Sequence, residues 1–336
     1  MSLFIDDPDF KLHVGDVSEI LRQLPAESVQ TCVTSPPYWA QRDYGMEGQL
    51  GMERTPDEYV QVMVDVFHEV GRVLKDDGTL WLNIGDSYAS NWGMGAKGRR
   101  SSWMSGKSGD LEGKGWGVET IIPPNSFAKP RADGIKPKDL VGIPWMLAFA
   151  LRADGWYLRS EIIWNKPNAM PESIHDRPTC AHEHIFLLAK NQRYFYDKDA
   201  VKEDAEWERW GKQTNPKYGS AQGKGALVKE RSKKAIYEFL GQPGDQDGMT
   251  KNLRNVWTVR TQPYADAHFA TFPEDLIEPC IKAGSREGDT VFDPFMGSGT
   301  TALVARKLGR HSLGIELNPE YAVLCAQRTS QQSLLA

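Results

Sequence analysis

One segment organises the chain, and its residues are Val291-Phe292-Asp293-Pro294-Phe295-Met296-Gly297-Ser298-Gly299-Thr300-Thr301-Ala302. A short apolar run leads into two glycines, and a helical pattern then continues to a stop at Gly309. This order predicts a strand, a glycine turn and a helix start. Gly297 and Gly299 remove side chains where a ligand approaches the backbone, and the helix N-terminus behind them presents free N–H groups. The segment therefore predicts a ligand-binding loop in an α/β fold.

The next apolar run, residues 311–316, ends on a carboxylate. In dinucleotide-binding βαβ units an acidic residue about 20 positions past the glycines binds the ribose. Glu316 is placed to accept hydrogen bonds from two ribose hydroxyls in the same way. Asn318 and Pro319 predict the N-cap and the first position of a last helix. A glycine turn with a purely structural role remains the alternative on this segment alone.

Three kinds of nucleotide-binding loop place glycines before a helix. A phosphate-binding P-loop needs Gly-Lys followed by Ser or Thr, and Gly299-Thr300-Thr301 has no lysine. A nicotinamide-binding loop fits loosely, but it ordinarily opens a domain with further βαβ units, and few residues follow Gly299. An adenosyl ligand without a pyrophosphate fits the segment better.

A second motif, Ser35-Pro36-Pro37-Tyr38, follows the apolar run 29–34. Neither proline can donate to a sheet, so the strand must end there in an extended turn. The carbonyls of Ser35 and Pro36, with the Ser35 hydroxyl, could hold a planar exocyclic amine, and the Tyr38 ring offers a face for stacking. The motif indicates a pocket for a nucleobase amino group. A proline-rich turn with a buried aromatic ring is the alternative.

Together the two motifs resemble those of β-class, circularly permuted DNA amino-methyltransferases of the cytosine-N4 or adenine-N6 type. Residues 293–300 resemble the S-adenosylmethionine loop of that family, and residues 34–39 resemble its catalytic loop. The catalytic loop comes first, as in the permuted class, whereas methyltransferases of protein glutamine or ribosomal RNA generally place the cofactor loop first. The resemblance implies S-adenosylmethionine as cofactor, double-stranded DNA as substrate and a cognate restriction endonuclease as a candidate partner.

The resemblance also assigns residues. Asp16 resembles the residue that meets the adenine amine of the cofactor, and an ordinary turn aspartate is the alternative. Phe272 and Pro273 would pack against the methionine end, and a plain core role for Phe272 is the alternative. The residues expected at the cofactor are Asp16, Thr271, Phe272, Pro273, Asp293, Pro294, Phe295, Gly297, Ser298, Gly299, Thr300, Glu316 and Asn318. Those expected at the reacting base are Ser35, Pro36, Pro37 and Tyr38.

The predicted fold is α/β, a doubly wound Rossmann-like methyltransferase sheet of about seven strands with an inserted DNA-recognition region. The strand candidates are residues 11–14, 29–34, 79–84, 156–164, 184–189, 290–293 and 311–315. The predicted parts are a catalytic half at 1–90, a basic Gly/Ser-rich insertion at 91–138, core strands at 139–201, a target recognition region at 202–260 and a cofactor-binding half at 261–336.

Net positive charge is confined to the two predicted insertions. Residues 91–138 carry a net charge of +5 and residues 202–260 one of +4, whereas the whole chain carries −5 and the remainder therefore −14. An acidic body with basic loops suits a protein that binds nucleic acid in one cleft. Two solvated loops are the alternative. The candidates for DNA contacts are Trp39, Arg42, Arg209, Lys212, Lys233, Lys234 and Arg254.

Other features predict neither a metal site nor a membrane segment. Four scattered cysteines are typical of the reduced core of a cytosolic protein. His182 and His184 suggest a metal pair, but we expect them to point to opposite faces of a strand and not to converge. The longest apolar run, 140–151, is too short to cross a bilayer, and the N-terminus lacks a signal-peptide pattern, so we expect a soluble, cytoplasmic protein. The sequence leaves monomer and homodimer open.

The predicted reaction is direct methyl transfer to the amine of a flipped-out base, stacked on Tyr38 with Trp39 nearby. In the family, Ser-Pro-Pro-Tyr loops lean to cytosine-N4. The Ser35 hydroxyl can donate to N3 of cytosine as well as accept from its amine, whereas an ionised aspartate only accepts. Because N1 of adenine is also an acceptor, adenine-N6 remains the alternative, and a catalytically silent DNA-binding protein on the same fold is the third. Methylation at carbon-5 would need a cysteine nucleophile, and Pro279-Cys280 lies in a predicted helix.

Overall fold

The two ends of the chain interleave in one sheet. The computed structural model describes residues 2–89, 135–204, 250–261 and 272–333. The strands are β1 Ser2–Asp7, β2 Phe10–Val14, β3 Val29–Thr34, β4 Leu74–Ile84, β5 Tyr157–Asn165, β6 His182–Ala189, β7 Glu203–Asp204, β8 Thr250–Lys251, β9 Val256–Thr258, β10 Thr290–Asp293 and β11 His311–Glu316. The helices are α1 Val17–Leu21, α2 Pro56–Val73, α3 Ile143–Ala153, α4 Glu274–Gly284, α5 Thr300–Lys307 and α6 Pro319–Ser333.

Nine strands form the main sheet in the order β1-β2-β11-β10-β3-β4-β6-β5-β9. The run from β2 to β4 is parallel, and β6 is antiparallel to both of its neighbours. Since β10 pairs with β3, the two predicted motifs leave the sheet from adjacent strands at the same edge. The α/β fold class is confirmed, and β1 and β9 raise the expected seven strands to nine.

Helices cover both faces of the sheet. On one face, α1, α2 and α3 enclose a core with Met63, Phe67 and Leu147 at its centre, and all three side chains are buried. On the other face, α4 and α5 pack over Trp81 and Val291. Helix α2 begins with a capping box between Thr55 and Glu58, which satisfies two otherwise unpaired backbone donors. The core therefore lies in two layers around strands that are apolar on both faces.

The glycine segment folds as its sequence predicts. Strand β10 ends at Asp293, and helix α5 runs from Thr300 to Lys307. Gly309 has φ +71°, and the N–H of Arg310 reaches the carbonyl of Ala305 at 2.9 Å. These are the features of a Schellman C-cap. Asn318 caps the last helix, because its Oδ1 accepts from the N–H of Glu320 at 2.9 Å.

Several expectations need correction or fall outside the described residues. The rings of His182 and His184 lie 5.2 Å apart on one face of β6, because residues two apart on a strand share a face, so the expected divergence is wrong. Within the described ranges no group of three or more His, Cys, Asp or Glu side chains is placed to hold a metal ion. Cys180 is exposed, whereas the other three cysteines are buried.

The predicted insertions are described only at their ends. Residues 90–134 and 205–249 lie outside the described part of the chain, as do Thr271, Arg209, Lys212, Lys233 and Lys234. The end of the predicted recognition region is part of the core, since β9 pairs with β5. In the portion of the chain that the structure describes, no helix is long and apolar enough to cross a membrane.

Candidate functional site

A cavity of about 870 Å³ lies where β3, β10 and β11 end. Both sequence motifs line it, the proline motif with all four of its residues. The expected cofactor residues that line it are Asp16, Phe272, Asp293, Pro294, Phe295, Gly297, Ser298, Thr300, Glu316 and Asn318. One continuous space thus joins the two loops that the sequence predicts to act together.

Glu316 ends β11 inside this cavity. Its carboxylate accepts the N–H of Gly297 at 2.7 Å and the N–H of Asn318 at 2.8 Å, and the side chain is 8% exposed. Burial raises the pKa of Glu316 to about 7, although the backbone donors act in the opposite direction. A carboxylate offers about four acceptor positions, so capacity is left for hydroxyl donors of a ligand.

Gly297 and Gly299 differ in the space that surrounds them. At Gly297, with φ +53°, the nearest atom to an added Cβ would be the Phe295 carbonyl oxygen at 3.9 Å. At Gly299, with φ +82°, an added Cβ would lie 2.4 Å from the Cys325 Sγ on α6. Gly297 therefore leaves open space at the cavity, whereas Gly299 does not line the cavity and is required by helix packing. A contact of Gly299 with the cofactor stays a prediction.

Asp293 is a structural tie between the two motifs. Its carboxylate accepts from the Thr34 hydroxyl at 2.6 Å, from the Thr301 hydroxyl at 2.7 Å and from the N–H of Phe295 at 3.0 Å. The side chain is 1% exposed, and burial raises its pKa to about 6. Although Asp293 borders the cavity, its oxygens are occupied by these donors, so it fixes the loop more directly than it could bind a ligand.

Other expected cofactor residues also have local structural partners. Asp16 caps α1, with its Oδ1 accepting from the N–H of Glu19 at 2.9 Å, and it borders the cavity. Phe272 borders the cavity, whereas Pro273 is the buried N-cap residue of α4 and does not line it. Arg328 of α6 contacts the Ser298 Oγ at 3.2 Å and the Thr300 Oγ1 at 2.8 Å. Helix α6 thereby supports the glycine loop from behind.

The proline motif turns away from the sheet as predicted. The Pro37 carbonyl accepts from the Tyr59 hydroxyl at 2.9 Å, which anchors the turn on α2. Trp39 is 4% exposed, packs in the core and donates from Nε1 to the Glu53 carbonyl at 3.0 Å. The expectation that Trp39 contacts DNA is therefore corrected, because its ring is enclosed by protein.

Three polar residues that the sequence did not single out join Tyr38 in one wall of the cavity. The Tyr38 hydroxyl donates to the Glu183 Oε2 at 2.8 Å, and the Asn83 Nδ2 donates to the Tyr38 oxygen at 2.9 Å. Lys166 forms an ion pair with the Glu183 Oε1. The four residues come from the proline motif and from β4, from the turn after β5 and from β6. The only sequence signal was the polar triplet around Glu183, which suggested a metal site.

Aromatic and basic groups stand at the cofactor end. Tyr44 and Tyr321 line the cavity with their rings 6.3 Å apart and nearly perpendicular. Arg42, a candidate for DNA contact, also lines it. Arg254 does not: its Nε lies 2.9 Å from the Glu203 Oε2 beside β8, and a DNA contact from it stays a prediction. Tyr321, on helix α6, is thus a cavity residue.

The residues present fit the adenosyl cofactor that the sequence predicts. Gly297 leaves its backbone accessible, and Glu316 retains acceptor capacity beside it. Tyr44 and Tyr321 add apolar ring surface at the same end of the cavity. When bound there, S-adenosylmethionine would supply an electrophilic methyl group near the proline motif.

Comparisons with known proteins agree with this geometry. Residues 29–327 match the N6/N4 methyltransferase model, whose description is DNA methylase. The chain is 45% identical over 318 residues to the type II methyltransferase M.SmaI of Serratia marcescens, covering 95% of this chain and 90% of that protein. It is 44% identical over 322 residues to the type II methyltransferase M.XycI of Xanthomonas campestris pv. cyanopsidis, covering 96% and 88% respectively.

Two solved structures share the fold. The PvuII DNA methyltransferase, described as cytosine-N4-specific, has a TM-score of 0.58 at 19% identity, with 95% of this chain and 86% of that chain covered. TTHA0409 of Thermus thermophilus, solved in complex with S-adenosyl-L-methionine, has a TM-score of 0.54 at 23% identity, with 96% and 93% covered.

Proposed function

This chain belongs to the N6/N4 DNA methylase family, and on that premise we propose that it transfers a methyl group to the N4 amine of a flipped-out cytosine in a specific DNA site. The broader activity follows from the family: the protein is a DNA amino-methyltransferase, and S-adenosylmethionine is its cofactor. The proposal concerns the base, its position during the reaction and the residues that act on it.

The observation that carries the proposal is the shared cavity of the two motifs. Ser35 and Gly297 line the same space, and the bond between Thr34 and Asp293 holds their strands together. An amine placed at Ser35 would thus face a methyl donor placed at Gly297. Positioning of this kind is a large part of catalysis when no covalent enzyme adduct is needed.

Three residues of the proline motif have a proposed role in binding the base. The Ser35 hydroxyl and the carbonyls of Ser35 and Pro36 would accept the amine protons, which draws the nitrogen toward tetrahedral geometry and exposes its lone pair. The Tyr38 ring would form one wall of the base slot. Since these groups line a cavity, a base within a duplex can reach them only by leaving the stack.

The choice of cytosine rests on residue 35. A serine hydroxyl can donate to N3 of cytosine and accept from N4, whereas an aspartate at this position would be an acceptor alone. Adenine-N6 is the second candidate, because N1 of adenine also accepts a hydrogen bond. The type II names of the relatives further support a place in a restriction-modification system, with an endonuclease of the same sequence specificity as partner.

The test is identification of the methylated base. The protein is incubated with unmethylated genomic DNA and S-adenosylmethionine carrying a deuterated methyl group, and the DNA is digested to nucleosides for mass spectrometry. Labelled N4-methylcytosine is the expected product. Labelled N6-methyladenine would change the assigned base from cytosine to adenine but leave the enzyme class unchanged. Labelled 5-methylcytosine would contradict methylation of an amine. Ser35→Ala is the matched variant, expected to keep cofactor binding and lose product.

A further inference from the structure

A chain of hydrogen bonds leads from the catalytic loop to a carboxylate. The Ser35 hydroxyl donates to the Tyr38 hydroxyl oxygen at 3.4 Å, and the Tyr38 hydroxyl donates to the Glu183 Oε2 at 2.8 Å. All three residues line the cavity. Because both hydroxyls donate in the same direction, each can pass its own proton on while it receives another.

Glu183 is held in place at both oxygens. Lys166 pairs with Oε1, and the Asn83 Nδ2 lies 3.2 Å from Oε2. The Lys166 Nζ also lies 4.2 Å from the centre of the Trp164 ring, a cation–π contact. These contacts leave Oε2 facing Tyr38. The carboxylate therefore has one fixed orientation toward the catalytic loop.

The ion pair between Lys166 and Glu183 is largely shielded from solvent. The side chains of Lys166 and Glu183 are each 17% exposed. Removal of two charges from water is expensive, and their mutual attraction often fails to offset it. Neither the binding of the amine at Ser35 nor that of the cofactor at Glu316 uses the pair. The pair lies on the wall of the reaction cavity and is therefore available for a chemical role.

The proposed reaction releases a proton that needs a route out. The bound cofactor supplies the methyl group, so the nitrogen–carbon bond forms as the sulfur–carbon bond breaks and positive charge passes from sulfur to the amine nitrogen. The nitrogen must then lose one of its two protons to regain a neutral amine. Ser35 is the hydroxyl proposed to contact that amine, and its oxygen has a lone pair free to receive a proton.

Resting on that proposed function, we propose that Glu183 is the terminal acceptor of the amine proton, reached through the hydroxyls of Ser35 and Tyr38. For the transfer, the single proton of the Ser35 hydroxyl turns from N3 of the bound cytosine to the Tyr38 oxygen, the direction that it has in the free protein. The amine proton passes to the Ser35 Oγ, the Ser35 proton to the Tyr38 oxygen, and the Tyr38 proton to the Glu183 Oε2. Both hydroxyls end neutral, and Glu183 ends protonated until it exchanges with solvent. The relay begins to remove the amine proton while the nitrogen lone pair attacks the methyl group. This increases the nucleophilicity of the amine.

The neighbouring groups are consistent with this assignment. Burial and the Glu183 charge raise the pKa of Tyr38 well above its ordinary value, so the phenol keeps its proton between turnovers. Asn83 contacts both Tyr38 and Glu183, but an amide takes no proton at ordinary pH and can serve only to align them. Glu183 is thus the one titratable acceptor that contacts Tyr38 among the described residues.

Three variants separate proton transfer from mere support. Glu183→Gln keeps the size of the side chain and an acceptor for the Tyr38 hydroxyl but cannot take up the proton. Glu183→Ala opens space for an added carboxylate such as formate. Tyr38→Phe keeps the ring and interrupts the relay. Glu161→Gln is the control, since Glu161 pairs with His184 at 2.8 Å on the same pair of strands and does not line the cavity.

Single-turnover methylation rates are measured with and without formate, and calorimetry follows cofactor and DNA binding. We expect Glu183→Gln and Glu183→Ala to lose about 10² in rate with unchanged binding, the usual size of a general-base contribution. Formate should restore at least about tenfold to Glu183→Ala and nothing to Tyr38→Phe. The control should keep the wild-type rate.

Two results would overturn the assignment. A Glu183→Gln enzyme within about threefold of wild type would show that no proton needs this carboxylate. Failure of formate to restore Glu183→Ala, with both variants folded and binding, would reduce Glu183 to a support for Tyr38. Failure of the proposed function is recognised separately, because the wild-type enzyme would then yield no N4-methylcytosine.

Discussion

Thr34 donates a 2.6 Å hydrogen bond to Asp293, and this bond joins the strand that carries the catalytic loop to the strand that carries the cofactor loop. The two residues are far apart in sequence but lie on paired strands, because β10 is inserted beside β3. The second oxygen of Asp293 accepts from Thr301 at the start of α5. One buried carboxylate thereby sets the distance between the proposed amine site and the proposed methyl donor site.

Replacement of Thr34 by Val should therefore weaken both the fold and the reaction. It removes a donor from a buried carboxylate, which costs about 1–3 kcal/mol. The free energy of unfolding from urea titration should fall by that amount, and the single-turnover rate should fall with it. Thr34→Ser keeps the hydroxyl and serves as the control. A Val variant as stable and as fast as the Ser variant would contradict the importance of the bond.

Glu316→Ala should weaken the cofactor. If the carboxylate accepts ribose hydroxyls, its removal costs about 1–3 kcal/mol of binding free energy, the range for hydrogen bonds to a charged group. Isothermal titration calorimetry with S-adenosylmethionine measures this loss directly. Because Glu316 also accepts the N–H of Gly297, Glu316→Gln is the companion that keeps an acceptor for the loop. Unchanged affinity in the Ala variant would remove Glu316 from the cofactor site.

The two loop glycines should respond differently to the same change. Gly297→Ala places a Cβ in open space and costs mainly the strain of a positive φ, about 1–2 kcal/mol. Gly299→Ala meets the Cys325 Sγ as well, which adds about 1–3 kcal/mol of overpacking. Thermal unfolding should rank Gly299→Ala as the less stable variant, whereas cofactor affinity should fall more in Gly297→Ala. Cys325→Ala in the Gly299→Ala background should recover part of the stability.

The fold was largely predictable because its landmarks are local. Strand β3 ends at Thr34, just before Pro36-Pro37, and β10 ends at Asp293, just before the glycine turn, so both boundaries lie next to residues that favour turns. The same prolines and glycines located the proline motif and the glycine loop in the sequence. The order of the two motifs suggested that they share a sheet.

The far wall of the cavity was not predictable for the opposite reason. Asn83, Lys166 and Glu183 meet only because β6 is inserted antiparallel between β4 and β5, and no local pattern specifies that pairing. Trp39 failed as a DNA contact because its burial depends on how the loop packs over α2. Residues within a motif can be recognised from the sequence. Residues that lie beside a motif because of strand pairing can be identified only once the order of the strands in the sheet is known.

Cofactor affinity should rise with pH through neutrality. In the ligand-free protein, burial raises the pKa of Glu316 to about 7, so below that pH the carboxyl is mostly protonated. Ribose hydroxyls donate best to the ionised form, so binding must first expel a proton there. The dissociation constant should therefore increase as pH falls below about 7, by at most tenfold per pH unit, and level off above it. Calorimetry from about pH 5.5 to about pH 8.5 measures this dependence.

The origin of that dependence is checked with the neutral isostere. Glu316→Gln cannot ionise, so its affinity should be lower at high pH and should lose the part of the slope that Glu316 causes. Repeating the titration near pH 6 in two buffers of different ionisation enthalpy counts the proton released by the wild-type protein. Asp293, whose pKa burial raises to about 6, is present in both proteins and cancels in the comparison. An identical slope in the Gln variant would assign the titration to another group.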